Sequence, residues 1–520
     1  MRLKVYSILF FIGFLTASAT AQTADILIKN AKILDGTGNS WFYGDIAVGG
    51  GKIVQIGRLS SWNAKKVIDA TGLVAAPGFI DVHTHIEGDE VKNPEATNFI
   101  YDGVTTVITG NCGLSDANIG RYLHKIDSLH TSVNVAALVG HNDVRKAVMG
   151  RASRNPTEAE MQAMENIVDQ AMRDGAVGMS TGLIYIPGTY STTEEIVRLA
   201  KVASKYGGVY ASHMRDEGDS VVAAIEEALY IGRTAKMPVQ ISHFKLSGQQ
   251  NWGRSSETVP LIINARKEGL DVTIDQYPYT ASSTSLSTLI PDWVLADGQD
   301  SIVARLARPS VRKEVTNYML AKLAKRKLKH FSYPVVANYT ADTTLNGNSI
   351  EEVNTILGKK HTAKQEAETI IQMMEKGGAS MVFHGMSEAD VKAIMRYPFN
   401  MFASDASIRV YKEGNPHPRG YGTNARVLKK YVREENVIGL EEAIRRMTSL
   451  PAQKFNLKNR GLIKEGYFAD ICIFDENEIS DASEYNEPHQ YSKGIKYVWV
   501  NGALSIDNGV QNMTRKGIAI

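Results

Sequence analysis

"GFIDVHTH", residues 78–85, is the stretch on which the fold turns. Its apolar half reads as a short buried strand, and two histidines follow at the carboxyl end. Strand side chains alternate between faces, so His83 and His85 point the same way. Two imidazoles one pleat apart can ligate one metal ion, and zinc accepts histidine nitrogen. An H-x-H pair alone occurs by chance, so its meaning depends on what surrounds it. Seven later segments share its form, an apolar run closing on polar residues: "TTVITGNC" (105–112), "VNVAALVGH" (133–141), "GMSTGL" (178–183), "VYASHM" (209–214), "VQISHF" (239–244), "VTIDQYPY" (272–279) and "MFASDA" (401–406). Helix signals lie between them. Thr192 stands three residues before Glu195 and Thr157 three before Glu160, capping-box patterns ahead of i, i+3, i+4 apolar spacing. Eight buried strands separated by helices predict an α/β fold, a parallel (β/α)8 TIM-like barrel over residues 77–451. The stretch from about 286 to 380 exceeds one loop and one helix, and predicts an inserted, mostly helical subdomain.

On either side of this middle the texture changes. "ADILIKNAKILDG" near the start and "GYFADICIFD" and "IKYVWVNGAL" near the end read as short strands broken by Gly and Asn turns. Residues 22–76 and 452–520 are expected to pack together as one small β domain, with Cys472 in its core. Residues 1–21 have a basic start at Arg2 and Lys4, an apolar run from Ile8 to Leu15, and Ala19-Thr20-Ala21 at the end. That pattern predicts a cleaved signal peptide and an exported protein, periplasmic or secreted, without a membrane anchor. Without Arg2 and Lys4 the chain has 56 basic and 56 acidic residues, so no basic field points to a nucleic-acid partner. Export permits disulfides, but the chain's 2 cysteines, Cys112 and Cys472, are far apart in sequence and make a poor framework.

Barrel chemistry is expected at the carboxyl ends of the strands. Those ends carry His83, His85, Cys112, His141, His213, His243, Tyr277, Tyr279 and Asp405. Each has a plain structural reading. Cys112 can be a small buried hydrophobe, Asp405 a helix N-cap and His384, in "MVFHGMS", a packed or loop histidine, while His141 is read equally as a loop brace and as a group near the mouth that polarises a substrate carbonyl. The convergence of histidines, a thiol and an acid from different strands on one face favours a metal-assisted reaction over any of these readings taken singly.

With these pieces assembled, the chain resembles the N-acyl-D-amino-acid deacylases (D-aminoacylases) of the amidohydrolase superfamily. The resemblance rests on "GFIDVHTH", "GNCG", "GAVGMSTGLIYIPGTYSTTEE", "SHMRDE", "ISHFK", "DQYPYTASST", "ASDA", "HPRGYGTNARVL" and "GLIKEGYFADICIFD". It implies a metal-bearing distorted barrel with a β-sandwich built from both chain ends. It implies that Cys112, His213 and His243 hold a tight Zn2+, while His83 and His85 frame a second, weaker site. It makes Asp405 the catalytic acid and base, and Lys245, Tyr277, Ser283 and Arg419 the holders of the substrate's α-carboxylate. The expected partner is a small N-acyl-D-amino acid, or a dipeptide with a C-terminal D-residue. A hydantoinase-type reaction fits less well because "GMSTGL" lacks a strand-four lysine. A metal-binding or solute-binding protein without catalysis would have no use for Asp405.

Overall fold

All eight expected strands form in the computed structural model, which describes residues 22–520; the expected leader, residues 1–21, lies outside the described residues. Phe79–Asp81, Val104–Thr109 and Asn134–Ala137 pair in parallel. So do Val139–Gly140, Gly178–Gly182, Val209–His213, Val239–Ile241, Val272–Gln276 and Asn400–Phe402, in that order. The third strand breaks at Leu138, so that its first half meets the second strand and its second half meets the fourth. A parallel bridge from Thr84 to Ala406 joins the first strand to the eighth and closes the ring. Every residue of these strands is buried. Parallel strands covered on both faces have this character, which is why they read as continuous apolar runs rather than alternating ones.

The two capping boxes end differently. Thr157 and Glu160 exchange both bonds at the start of helix Glu158–Arg173. At helix Thr193–Ser204 the Thr192 hydroxyl accepts from the Glu195 amide, but the Glu195 carboxylate turns inward to His141 and Arg145. A buried ion pair has taken the return arm of the box.

Both chain ends build one sheet. Val74–Pro77 lies antiparallel to Ile471–Phe474, with Cys472 opposite Ala76. The long first strand, Thr23–Ile33, bulges between Ile28 and Ala31 and pairs with Asn63–Asp69 along one half and Val74–Pro77 along the other. The sheet surrounds a core of Ile28, Ile33, Ile46, Ile471, Ile473 and Trp499. Two junctions differ from the expected boundaries. Helix Ser449–Lys454 runs across residue 452, and Ala452, Phe455 and Leu457 pack with the barrel residues Ile80 and Ile108. The final residues also return to the barrel, where the Val135 amide donates to the Ile518 carbonyl and the Ile520 amide to the Val135 carbonyl.

The insertion is not all helical. Ala281–Ser285, Ser380–His384 and Pro334–Asn338 form an antiparallel sheet with Ser380–His384 in the middle. Helices Gln299–Leu306, Pro309–Lys325, Ile350–Ile356 and Ala363–Glu375 pack with it on a separate apolar core. The first of these strands, "ASSTS", is made of small polar residues and has no apolar alternation to announce it.

Candidate metal centre and active site

Three residues of the site lie just past or at strand ends in left-handed backbone: Cys112 at φ 54°, His243 at φ 36° and Asp405 at φ 50°. Non-glycine residues pay about 1–2 kcal/mol for this conformation, so surrounding structure must impose it. Around Cys112 the imposition is visible. A Cβ on Gly110 would meet the Leu138 carbonyl oxygen at 2.1 Å, and one on Gly113 would meet Asn142 Oδ1 at 2.1 Å. The two glycines of "GNCG" therefore allow the strand to turn sharply against its neighbour and aim the thiol inward.

The Cys112 sulfur lies 3.3 Å from His83 Nε2, 3.5 Å from His213 Nδ1 and 3.6 Å from His243 Nε2. Ligand atoms bonded to one tetrahedral zinc at about 2.0–2.3 Å stand roughly 3.3–3.7 Å apart, so this spacing suits a single ion. Protonation suits it as well. Burial keeps His213 and His243 neutral by lowering both well below the usual histidine range. Burial, with Asp405 and Glu217 nearby, pushes the Cys112 thiol well up. A dication among these groups would find free imidazole lone pairs and would deprotonate the thiol. The nitrogens that face the sulfur, His83 Nε2, His213 Nδ1 and His243 Nε2, come from three different strand ends and converge on one point. The residues present therefore fit a divalent metal. Donor atoms of Cys112, His213 and His243 converge within 4.8 Å, as do those of His83, His85 and Cys112, and of His83, His243 and Asp405.

Carboxylates orient these rings from behind. Glu217 Oε1 is 2.8 Å from His243 Nδ1 and 2.6 Å from Lys245 Nζ. Asp275 accepts from the His243 amide at 2.7 Å and lies 3.6 Å from His83 Nδ1. Asp81 accepts from the His83 and Ser404 amides, each at 3.1 Å, and so ties the first strand to the eighth. Sequence reading passed over all three acids, although "SHMRDE", "VTIDQYPY" and "GFIDVHTH" held the signal: each places a carboxylate within a few residues of a strand-end functional group.

Asp405 faces His85 Nε2 at 3.2 Å, His83 Nε2 at 3.6 Å and Arg419 Nη1 at 2.9 Å. Burial opposes its charge, yet Arg419, His83 and His85 outweigh burial and hold the carboxyl well below the usual carboxylate range. Asp405 is therefore an ionised, oriented proton acceptor. Above it opens a cavity of about 1170 Å³, whose wall includes Cys112, His85, Asp405, Arg419 and Ser283.

The other expected contacts divide. Arg419 reaches the wall, but its guanidinium is paired with Asp405 and stacked 4.5 Å over the Tyr277 ring. Lys245 and Tyr277 are buried behind the wall. Lys245 is bound to Glu217 and His243, while the Tyr277 hydroxyl has no partner. His141 is a brace, fully buried with Nε2 at 2.9 Å from Glu195. His384 ends a strand of the insertion and packs edge-on against Tyr485. Tyr185, another residue sequence reading passed over, packs edge-on against His213 and shares a 2.9 Å hydrogen bond with Thr284 of the insertion.

Comparison with known proteins agrees with this geometry. Residues 66–506 match the model of an amidohydrolase family. Over 510 residues the chain is 36% identical to the D-aminoacylase of Alcaligenes xylosoxydans xylosoxydans, covering 94% of this chain and 95% of that protein. A crystal structure of D-aminoacylase superposes with a TM-score of 0.82 at 33% identity, over 95% of this chain and 99% of its own. The N-acyl-D-glutamate deacylase of Bordetella bronchiseptica, solved with zinc and a phosphonate mimic of the reaction's tetrahedral intermediate, superposes with a TM-score of 0.79 at 33% identity, over 93% and 96%.

Proposed function

The chain belongs to the amidohydrolase family and is a hydrolase, and we propose that it cleaves the amide bond of N-acyl-D-amino acids to release a carboxylate and a free D-amino acid. One observation carries the reading: a thiol ringed by three imidazoles lies at the wall of a cavity that the Asp405 carboxylate also lines. Cys112, His213 and His243 would hold the tighter ion, and His83 with His85 a weaker second one. Zinc suits the first set because it takes sulfur and nitrogen together. When bound, the ion supplies Lewis-acid polarisation of the acyl carbonyl and acidifies water.

The chain's own groups do the rest. Asp405 takes the proton of the attacking water and returns it to the leaving nitrogen, which is too basic to depart as an anion. Arg419 offers a planar two-pronged donor to the α-carboxylate. A substrate carboxylate that draws on Arg419 also loosens its hold on Asp405, so binding makes the base stronger when it is needed. Ser283 adds a hydroxyl at the same wall. The leader pattern at residues 1–21 supports export, where such substrates would be met outside the cytoplasm.

The test is a panel of N-acetyl-D- and N-acetyl-L-amino acids, their α-amides, and dipeptides ending in a D-residue, assayed with zinc. Hydrolysis of the D-acids with weak turnover of L-forms and amides is the expected pattern. Equal rates on acids and amides would remove the carboxylate anchor, and turnover confined to dipeptides would make the enzyme a dipeptidase.

A further inference from the structure

The loop between Asp405 and helix Arg419–Arg426 carries a second arginine, which the proposed reaction does not use. Arg409 lines the main cavity together with Asp405 and Arg419. It also lines a side pocket of about 220 Å³ that shares Asn338, Ser380 and Ser407 with that cavity. Backbone contacts, not a counter-ion, set its place. The buried Asn98 side chain accepts from the Arg409 amide at 3.1 Å, and donates to the Ser407 carbonyl at 3.2 Å and the Gly420 carbonyl at 2.7 Å. One asparagine thus ties the loop to the start of the helix. Arg409 Nε lies 3.0 Å from the point that a Cβ on Gly420 would occupy. The bare backbone at 420 lets the arginine run past the residue next to Arg419.

The chain leaves this charge unanswered. Arg409 Nε is buried without a hydrogen-bond partner. Among the described residues, no carboxylate lies within ion-pair distance of the guanidinium, although Asp89 and Glu413 also line the side pocket; Arg419, by contrast, holds Asp405 at 2.9 Å. Burial and the neighbouring Arg419 charge lower Arg409 from the ordinary arginine range, yet an arginine keeps its proton at neutral pH. Arg151 lines the cavity too, but it is exposed and water serves it. Arg409 is half-buried, and a cation withdrawn from water without a partner costs stability that an incoming anion would offset. We infer that Arg409 binds a second carboxylate, that of the substrate's side chain, so that the preferred substrates are N-acyl derivatives of acidic D-amino acids.

This assignment rests on the deacylase function proposed above and narrows its substrate. The α-carboxylate and the side-chain carboxylate of D-aspartate or D-glutamate branch from one Cα, one or two methylenes apart. Holding both takes two cations side by side, and Arg419 and Arg409 flank Gly420 in that way. Arginine suits each through its planar fork. A side-chain amide of the same size would bring dipoles but no charge, and would leave Arg409 uncompensated.

The test assays the zinc-loaded parent, Arg409→Met and Arg409→Lys on N-acetyl-D-glutamate, on its γ-amide N-acetyl-D-glutamine, and on N-acetyl-D-leucine. Far-UV circular dichroism confirms that each protein is folded. The expected kcat/KM ratio of acid to γ-amide is about 100 in the parent and about 1 in Arg409→Met, with the change carried by KM for the acid. Arg409→Lys keeps the charge without the fork, and its ratio should fall about tenfold; as the milder change it reads the effect even where Arg409→Met does not fold. A parent that hydrolyses acid and γ-amide equally, or a ratio unchanged in either folded variant, overturns the assignment while the deacylase function stands. Inactivity of the parent on all three substrates removes the deacylase function and the assignment with it.

Discussion

Cys112 meets two demands at one position: its backbone is held at φ 54° and its sulfur at 3.3–3.6 Å from three imidazoles. A packing role alone would be served by alanine. Cys112→Ala should therefore leave a folded protein that has lost its tight zinc and its activity, and Cys112→Asp should recover part of the binding through carboxylate oxygen. Elemental analysis of the folded variants decides this; full zinc in Cys112→Ala would return the residue to plain packing. Asp405→Asn keeps the side chain's shape and removes the proton acceptor, so kcat should fall by roughly 10²–10⁴-fold with zinc content unchanged. Because Arg419 helps hold the Asp405 carboxyl well below the usual range, and a bound α-carboxylate would share that arginine, the acid limb of kcat should lie at higher pH than the acid limb of kcat/KM, which reports the free enzyme. Coincident limbs would dismiss the coupling. Glu217→Gln is the test of the residues behind the ligands. Its carboxylate sits 2.8 Å from His243 Nδ1, and removing the charge should weaken the tight ion about 10–100-fold, measured by competition with a chelator. The strand-end histidines and the thiol were legible in the sequence because strand alternation and position mark them. Glu217 and Asp275 were not singled out: their nearness to strand-end groups in the sequence is a weak signal, and their roles show only once the rings they face are placed.

Among the elements, those with continuous apolar runs were the readable ones. The eight barrel strands are buried on both faces and so announce themselves. Strand Ala281–Ser285 is half-exposed and polar, and exists because Ser380–His384 pairs with it. Helix Ser449–Lys454 was hidden for another reason: it is short, contains Pro451, and is fixed by what it packs on rather than by propensity. Its last residue makes a testable contact. Lys454 is buried and donates to the Asp271 carbonyl at 2.8 Å, just before the seventh barrel strand. Burial, against the partial help of Asp271, lowers its ammonium to about 8 from an ordinary 10.5. Below pH 8 both folded and unfolded chains carry the proton and the cost of burying charge is present in full. Between about 8 and 10.5 the folded chain has released a proton that the unfolded chain still holds, so stability rises with pH, by about 3 kcal/mol in total. In Lys454→Met this rise should vanish. Chemical unfolding of parent and variant at pH 7.5 and 9.5 measures it, and parallel changes in the two proteins would show that the ammonium is not paying this cost.

At the scale of the whole molecule, the cavity belongs to two bodies of chain. The barrel contributes His85, Cys112, Asp405 and Arg419, and the insertion contributes Leu295, Ile302 and Met374. The two are joined by polar contacts: Tyr185 with Thr284 at 2.9 Å, Thr189 with Asp292 at 2.9 Å, and His417 with the Ala281 carbonyl at 2.9 Å. The groups proposed to handle protons and metal sit at strand ends, where barrel chemistry is expected. The insertion, which has its own apolar core, lines the rest of the cavity with apolar Leu295, Ile302 and Met374 among polar residues such as Ser287, Asp292 and Gln299. A volume of about 1170 Å³ exceeds the usual span of small-molecule pockets, so a substrate must lean on that wall to be held firmly. Leu295→Ala and Ile302→Ala should each lower kcat/KM by roughly tenfold for N-acyl-D-amino acids with a large apolar side chain or acyl group, the scale of a few methylenes lost from a hydrophobic pocket. Neither should change kcat/KM for N-acetyl-D-alanine, zinc content, or the pH dependence set by Asp405. Steady-state kinetics on the two substrates separates these outcomes. An equal loss on both would mean that the wall supports the barrel's catalytic groups and that selectivity arises among the strand ends themselves.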